Sequence, residues 1–226
     1  MSKHKLNYLH IGKTAGTEIN RYIKKLNDMD CKFNIIKQTH LIKLKDLPLR
    51  EEYFFSIRNP IARFRSGFYS RLRKGLPKRN VEWDLNEKIA FNEFQTANDL
   101  AESIFEPGPL GNNAFAAMRS IGHVCANQVD WFYRFGYFLQ TAPPFIIIRQ
   151  ENFNEDIKLF QLKLGIKSPF LLDKVQIDSH INIYPENSYL SAKAILNLER
   201  WYSQDCEFYK LCLSVIEKQI IEDHQL

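Results

Sequence analysis

The sequence predicts an α/β fold, with a P-loop-like central parallel sheet flanked by helices, a helical insertion and a helical C-terminus. Three observations carry that expectation. Short apolar runs alternate with stretches of helical period. No hairpin signal joins one run to the next, so consecutive strands are expected to be parallel and linked through helices. Glycine and proline breaks fall where a strand hands over to a helix.

Each element has its own justification. Lys5 to Ile11 reads as the first strand, with Leu6, Tyr8, Leu9 and Ile11 apolar. Gly12 to Gly16 turns the chain, and Ile19, Tyr22, Ile23 and Leu26 then recur at the spacing of one helix face. Phe33 to Ile36 is a short second strand. Tyr53 to Ile57 (YFFSI) is a third, apolar enough to be buried on both faces. Asn59-Pro60 ends it, and Ile61, Phe64, Phe68 and Leu72 mark a helical stripe that stops near Gly75. The fourth strand is Phe145 to Ile148, after Pro143-Pro144. Asn154 is the expected N-cap of a helix carrying Ile157, Phe160 and Leu164, closed by Gly165. From Ser191 to about Ile221 the pattern gives two helices, with Ile195, Leu198, Trp201, Phe208, Leu211 and Val215 as their apolar residues. Between about 76 and 142 there is helical pattern without a strong strand, which reads as an insertion or acceptor-side lid within a single domain spanning 1–226.

Composition narrows the function classes. A chain of 226 residues can bury a substantial core without a staple. The 31 Lys and Arg exceed the 26 Asp and Glu by only five, a mild excess that suits an enzyme with anionic ligands and leads us to expect no nucleic-acid partner. Cys31, Cys125, Cys206 and Cys212 form no CxxC pair and no zinc spacing, so they are expected to be buried, reduced thiols with no metal. No apolar stretch reaches signal-peptide or membrane-span length, which makes the cytoplasm the expected compartment and the lumen an option only for a trimmed chain. Nothing in the pattern sets the oligomeric state.

Two motifs carry chemistry. The first is His10-Ile11-Gly12-Lys13-Thr14-Ala15-Gly16-Thr17, with a strand leading in and a helix leading out. Backbone N–H groups and a helix N-terminus hold an anion in this arrangement. Gly12 and Gly16 let the chain turn, Lys13 supplies a charge, and Thr14 and Thr17 supply hydroxyls. Gly12-Lys13-Thr14 matches the end of the nucleotide-triphosphate loop, but the first glycine of that loop would fall at Asn7. A short loop fits a phosphate or phosphosulfate better than a triphosphate with magnesium. The second motif runs from Phe54 to Arg71. There Arg58 follows an apolar strand, where open α/β sheets bind ligands, and Ser66 lies two helical turns on. Arg58 can grip a phosphate with its planar fork, and Ser66 can add a hydroxyl. Arg63, Arg65, Arg71, Arg73, Lys74, Lys78 and Arg79 are expected mostly to form a solvated basic face.

The pair of motifs resembles the two signatures that bind 3′-phosphoadenosine 5′-phosphosulfate (PAPS) in sulfotransferases. HIGKTAGT is similar to their 5′-phosphosulfate loop, and IRNPIARFRSGFYSR to their 3′-phosphate segment. The resemblance is closest to the carbohydrate sulfotransferases, including the heparan 2-O type and related bacterial proteins. It covers about residues 5 to 75, with a weaker likeness in FIIIRQENF, Asp156 and Leu164-Gly165. It implies that Lys13 contacts the phosphosulfate and stabilises the leaving group. It also implies that Gly12, Lys13, Thr14, Ala15, Gly16 and Thr17 cradle the 5′ end, and that Arg58 and Ser66 bind the 3′-phosphate. Ala15 stands where many members have Gly, and Asn59 where Asp is common.

Sulfo transfer needs a base at the acceptor hydroxyl and a cation at the leaving group. His40 follows the second strand, which brings it toward the sheet edge that carries Lys13, and its ordinary pKa suits proton pick-up near neutrality. The resembling enzymes have a His in this interval. His10, His123, His180, Glu18 and Glu151 are weaker candidates, each with a structural explanation at hand. On the acceptor side, Arg71 to Arg79 can attract an acidic glycan. Trp83, Trp131, Phe132 and Tyr133 offer stacking surface or core packing. The expected partner is therefore a carbohydrate or other hydroxyl acceptor, with PAPS as sulfo donor. Two other classes compete. A nucleotide kinase or NTPase would use Lys13-Thr14 with magnesium, and a non-catalytic polyanion-binding protein would use the same fold without turnover.

Overall fold

The computed structural model describes residues 3–29, 31–77, 79–133, 136–140, 143–173, 184–185 and 188–223. In chain order the elements are β1 (His4–Leu9), α1 (Gly16–Asn27), β2 (Phe33–Lys37), β3 (Glu52–Ile57), α2 (Pro60–Leu72), α3 (Leu85–Glu93), α4 (Ala97–Ser103) and α5 (Pro109–Ser120). They continue with α6 (Tyr137–Gln140), β4 (Ile147–Arg149), α7 (Phe153–Lys163), α8 (Ala192–Trp201) and α9 (Ser203–Asp223). Short 3-10 turns occupy Leu44–Asp46 and Gln128–Trp131.

The four strands form one sheet in the order β2-β1-β3-β4, and every pairing is parallel. The chain moves outward from β1 to β2, then returns across β1 to lay down β3 on its other side. That reversal makes a topological switch point between the carboxyl ends of β1 and β3, the place where open α/β sheets leave a ligand crevice. The register sets Tyr8 beside Phe54 and Leu9 beside Phe55, so β3 runs on past the end of β1 to Ile57. Leu6, Tyr8, Leu9, Phe54, Phe55 and Ile57 are fully buried, as apolar strands covered on both faces should be.

The chain divides into two compact units, 1–58 with 128–175 and 207–226, and 59–127 with 176–206. In the first, α1 and α7 cover one side of the sheet through Ile19, Tyr22, Ile23, Leu26, Ile157 and Phe160. An aromatic cluster of Phe55, Phe132, Phe138 and Phe208 anchors α9. The second unit packs α2, α3, α4, α5 and α8 around Phe64, Phe68, Phe91, Leu100, Met118 and Leu198. The helices expected between 76 and 142 are thus α3 to α6, and α2 and α8 share a core with the first three of them.

Several local expectations change. The N-cap of α7 is Asn152 rather than Asn154. The solvated basic face fails at its buried members: Arg63 and Arg71 are 2% and 9% exposed, because each faces acceptors inside the second unit. Arg63 donates to the Ala126 carbonyl at 2.6 Å, and Arg71 chelates Glu87. Cys31 and Cys212 are buried thiols as expected, whereas Cys125 is exposed. Lys78 and His180 lie outside the described residues. Among the described residues no helix is long and apolar enough to cross a membrane.

Candidate functional site

The loop after β1 carries the geometry of an anion cradle. Lys13 and Ala15 both adopt left-handed backbone, with φ 69° and 66°. For residues with a Cβ this conformation costs roughly 1–2 kcal/mol each. Alternating handedness of this kind turns successive N–H groups into one concavity. Ala15 is also the N-cap residue of α1 and has no side chain to satisfy the first N–H groups of the helix. The positive end of the α1 dipole therefore faces the same loop.

A chain of hydroxyls holds this loop from beneath. Thr14 Oγ1 donates to the Ile11 carbonyl at 2.9 Å and lies 2.8 Å from Ser56 Oγ, which in turn lies 2.9 Å from the Tyr8 hydroxyl. The single Thr14 proton goes to a carbonyl, so Ser56 must donate to Thr14 and Tyr8 to Ser56. The donor order is fixed from β1 through β3 to the loop. Thr14 and Ser56 are fully buried. Burial pushes the Tyr8 phenol far above its ordinary value, against the pull of the Ser56 and Thr14 hydrogen bonds. Thr14 thus offers a ligand its backbone, with its hydroxyl committed inward. Ser56 lies within the apolar YFFSI run, where nothing in the sequence marks this role.

His40 lies on the connection after β2 and is exposed. Its Nδ1 sits 2.9 Å from the His10 carbonyl oxygen. A carbonyl only accepts, so Nδ1 carries a proton, and in the neutral form of the ring the lone pair is then on Nε2, the atom a general base would use. The two imidazoles are in contact, with centroids 3.8 Å apart and planes tilted by 34°. His10 itself fills the space beside Gly16, where a Cβ would come within 2.0 Å of His10 Nε2. Only glycine at 16 leaves that ring its place.

Arg58 is the first residue beyond β3, at the switch point with the loop. Its backbone is held by the side chain of Gln128, which is fully buried. The Arg58 N–H donates to Gln128 Oε1 at 2.9 Å, and Gln128 Nε2 donates to the Arg58 carbonyl at 2.8 Å. The sequence gives no sign of Gln128, which stands between Asn127 and Val129 seventy positions from Arg58. One strand further along, Arg149 at the end of β4 is gripped by Asp156 through Nε at 2.9 Å and Nη2 at 2.6 Å. The Asp156 hydrogen bond holds its guanidinium above the ordinary value, despite burial. Glu151 is exposed and accepts the Tyr209 hydroxyl at 3.3 Å. Burial, then the Glu151 charge, leave the Tyr209 phenol pushed up to about 12.

The second unit holds the remaining candidates. Ser66 is 3% exposed on α2. Asn59 caps that helix, its side chain accepting from Ile61 and Ala62 N–H groups at 3.0 and 3.1 Å, so it fills the capping role an Asp would. His123 has φ 67° and packs on Gly67 of the same helix. Its loop is pinned by Glu87 at the Gly122 N–H (2.9 Å) and by the Tyr202 hydroxyl at the Val124 carbonyl (2.6 Å). Of the basic run, Arg71 is committed to Glu87, while Lys74 pairs with Glu82 at 2.5 Å and lies over the Trp83 ring. Trp83 donates its N–H to the Arg71 carbonyl at 2.7 Å. In the first unit Trp131 and Phe132 are buried, and Tyr133 stays 65% exposed. Of the four candidate sugar-stacking rings, Tyr133 is the exposed one. Glu18, in the first turn of α1, pairs with Arg21 at 2.8 Å.

The structure therefore brings together the loop 12–17, His10 and His40, and places Arg58 at the neighbouring strand end. A family model described as the sulfotransferase family matches residues 1–211. No curated protein matches the chain.

Proposed function

The chain belongs to the sulfotransferase family, and from that premise we propose that it moves a sulfo group from PAPS to a hydroxyl of a carbohydrate acceptor. The observation that carries the proposal is the switch point: the left-handed loop after β1 and Arg58 after β3 end side by side, as two anion sites for the two ends of one nucleotide. The residues fit the donor. Loop N–H groups and Lys13 suit the 5′-phosphosulfate, and the Arg58 guanidinium suits the 3′-phosphate. The role of Ser66 at that phosphate rests on the sequence resemblance alone.

PAPS supplies the sulfo group and a phosphate leaving group. In the reaction the acceptor oxygen forms a bond to sulfur as the bond from sulfur to the bridging phosphate oxygen breaks. His40 Nε2 takes the acceptor proton, since Nδ1–H is held by the His10 carbonyl. Lys13 stabilises the charge left on the bisphosphate. The reading as a triphosphate-binding kinase is disfavoured by Asn7. The first loop glycine would stand there, but Asn7 is a paired residue of β1, its side chain bonded to Glu51 and Gln38.

The test is turnover. The protein is incubated with PAPS and a panel of neutral and acidic oligosaccharides, and products are read by mass spectrometry. A gain of one sulfo group on a sugar, dependent on PAPS, is the expected result. Transfer to phenols or amines alone, with none to any sugar, would overturn the acceptor class.

A further inference from the structure

We propose that His10 is the positioning residue of the base: it seats His40 and ties that seat to the anion loop through Gly16. The inference rests on the reading of His40 as the base. Four observations carry it. The His10 carbonyl fixes the His40 tautomer at 2.9 Å. The His10 ring forms the floor of His40, with centroids 3.8 Å apart and planes inclined by 34°. That floor is itself backed by buried rings, since Tyr8 stacks beneath His10 at 5.5 Å and Phe54 beneath Tyr8 at 4.9 Å. Finally, the edge of His10 abuts the first residue of α1, where a Cβ on Gly16 would be 2.0 Å away.

Phe54, Tyr8, His10 and His40 thus make a column of rings that runs from the core of the sheet to the surface. Tyr8 and Phe54 are fully buried and cannot yield. His10 is held from below by Tyr8 and from the side by α1, and so transmits the rigidity of both to an exposed residue. An exposed imidazole left to itself samples several rotamers. A misplacement of about 1 Å costs on the order of 10²-fold in rate. His10 removes that freedom. Because its edge touches Gly16, the base is registered against the same turn whose N–H groups would hold the donor.

A double-mutant cycle tests this. His10→Ala and His40→Ala are made singly and together, with His10→Phe as the variant that keeps a flat ring. Thermal unfolding and bisphosphate binding establish that each variant is folded with a working loop. His10→Ala should lower kcat by about 10²-fold in the wild-type background and have no further effect in the His40→Ala background. His10→Phe should recover most of the loss. Nitrogen chemical shifts of the His40 ring give a readout independent of turnover. Every variant keeps the main-chain carbonyl at position 10, so the shifts should report the Nδ1–H tautomer in the wild type and in His10→Phe, and an averaged tautomer mixture in His10→Ala, where the ring that holds His40 against that carbonyl is gone. Equal losses from His10→Ala in both backgrounds, or His40 shifts unchanged by it, would overturn the inference while leaving His40 as base. Wild-type turnover in His40→Ala would instead overturn the base reading and, with it, the catalytic meaning of the seat.

Discussion

The side-chain amide of Gln128 pairs with both main-chain polar groups of Arg58, at 2.9 and 2.8 Å. It does for the end of β3 what a further strand residue would do, and extends sheet-like pairing one step past Ile57. Arg58 therefore leaves the sheet with its backbone direction fixed. In Gln128→Met both Arg58 groups lose their partner, at a cost of about 1–3 kcal/mol in stability. Affinity for adenosine 3′,5′-bisphosphate should fall as well, because the guanidinium is no longer aimed. Denaturant melts and calorimetry check the two effects separately. Loss of stability with unchanged affinity would show that the clamp does not serve the site.

Thr14 is the pivot of the hydroxyl chain under the loop. Thr14→Val keeps the shape but removes the Thr14 donor to the Ile11 carbonyl and the acceptor of the Ser56 hydroxyl, which retains only Tyr8, and should cost about 1–3 kcal/mol. Thr14→Ser restores the hydroxyl and should recover most of it. Both are read as shifts in the urea midpoint at constant slope.

Lys13 and His40 act at different stages in this account, so their variants should separate. Lys13→Ala should remove most turnover by leaving the negative charge that develops on the departing phosphate uncompensated. His40→Ala should leave bisphosphate affinity near wild type while kcat falls by about 10²–10⁴-fold, the usual contribution of a general base. Steady-state kinetics beside calorimetry distinguishes the two. A His40→Ala variant that loses affinity and keeps kcat would move His40 from the acceptor to the donor side.

Arg71 and Glu87 form a buried ion pair inside the second unit, joined through Nε at 2.7 Å and through Nη2. Burial alone would raise the Glu87 carboxyl, but the Arg71 hydrogen bond, the Gly122 N–H and the Arg71 charge together hold it below its ordinary value. A depressed carboxyl stabilises the folded state fully above the ordinary value of 4.5 and loses that contribution as pH falls through the lower folded value. Glu87→Gln strands the Arg71 charge. It should cost about 3 kcal/mol at neutral pH, the low end for a broken buried pair, since Arg71 also donates to the Val81 and Glu82 carbonyls. The gap between variant and wild type should narrow in acid. A gap independent of pH would mean that Glu87 is not ionised in the folded protein.

Much of the first unit was legible because its signals are local. The strand cores Leu6 to Leu9 and Tyr53 to Ile57, the α1 stripe, Gly12-Lys13-Thr14 and Arg58 directly after its strand all lie within a few residues of what explains them. What escaped is long-range. Gln128 reaches Arg58 across seventy positions, and Ser56 meets Thr14 across forty-two, so neither leaves a trace in spacing. Arg63 and Arg71 looked solvated because a charge on a helix usually is. Their acceptors, Ala126 and Glu87, are brought to them only by packing. His10 is only one of the weaker candidates in the sequence, because its place beneath His40 depends on the pairing of β1 with β2.

The most direct test of the central claim is calorimetric titration of the protein with adenosine 3′,5′-bisphosphate, and separately with ATP and magnesium, repeated in Arg58→Ala. The account predicts micromolar binding of the bisphosphate, weakened roughly 10- to 100-fold in Arg58→Ala by loss of a charged hydrogen bond. No binding of the bisphosphate, with clear binding of magnesium ATP, would contradict it and make the chain a triphosphate-binding protein.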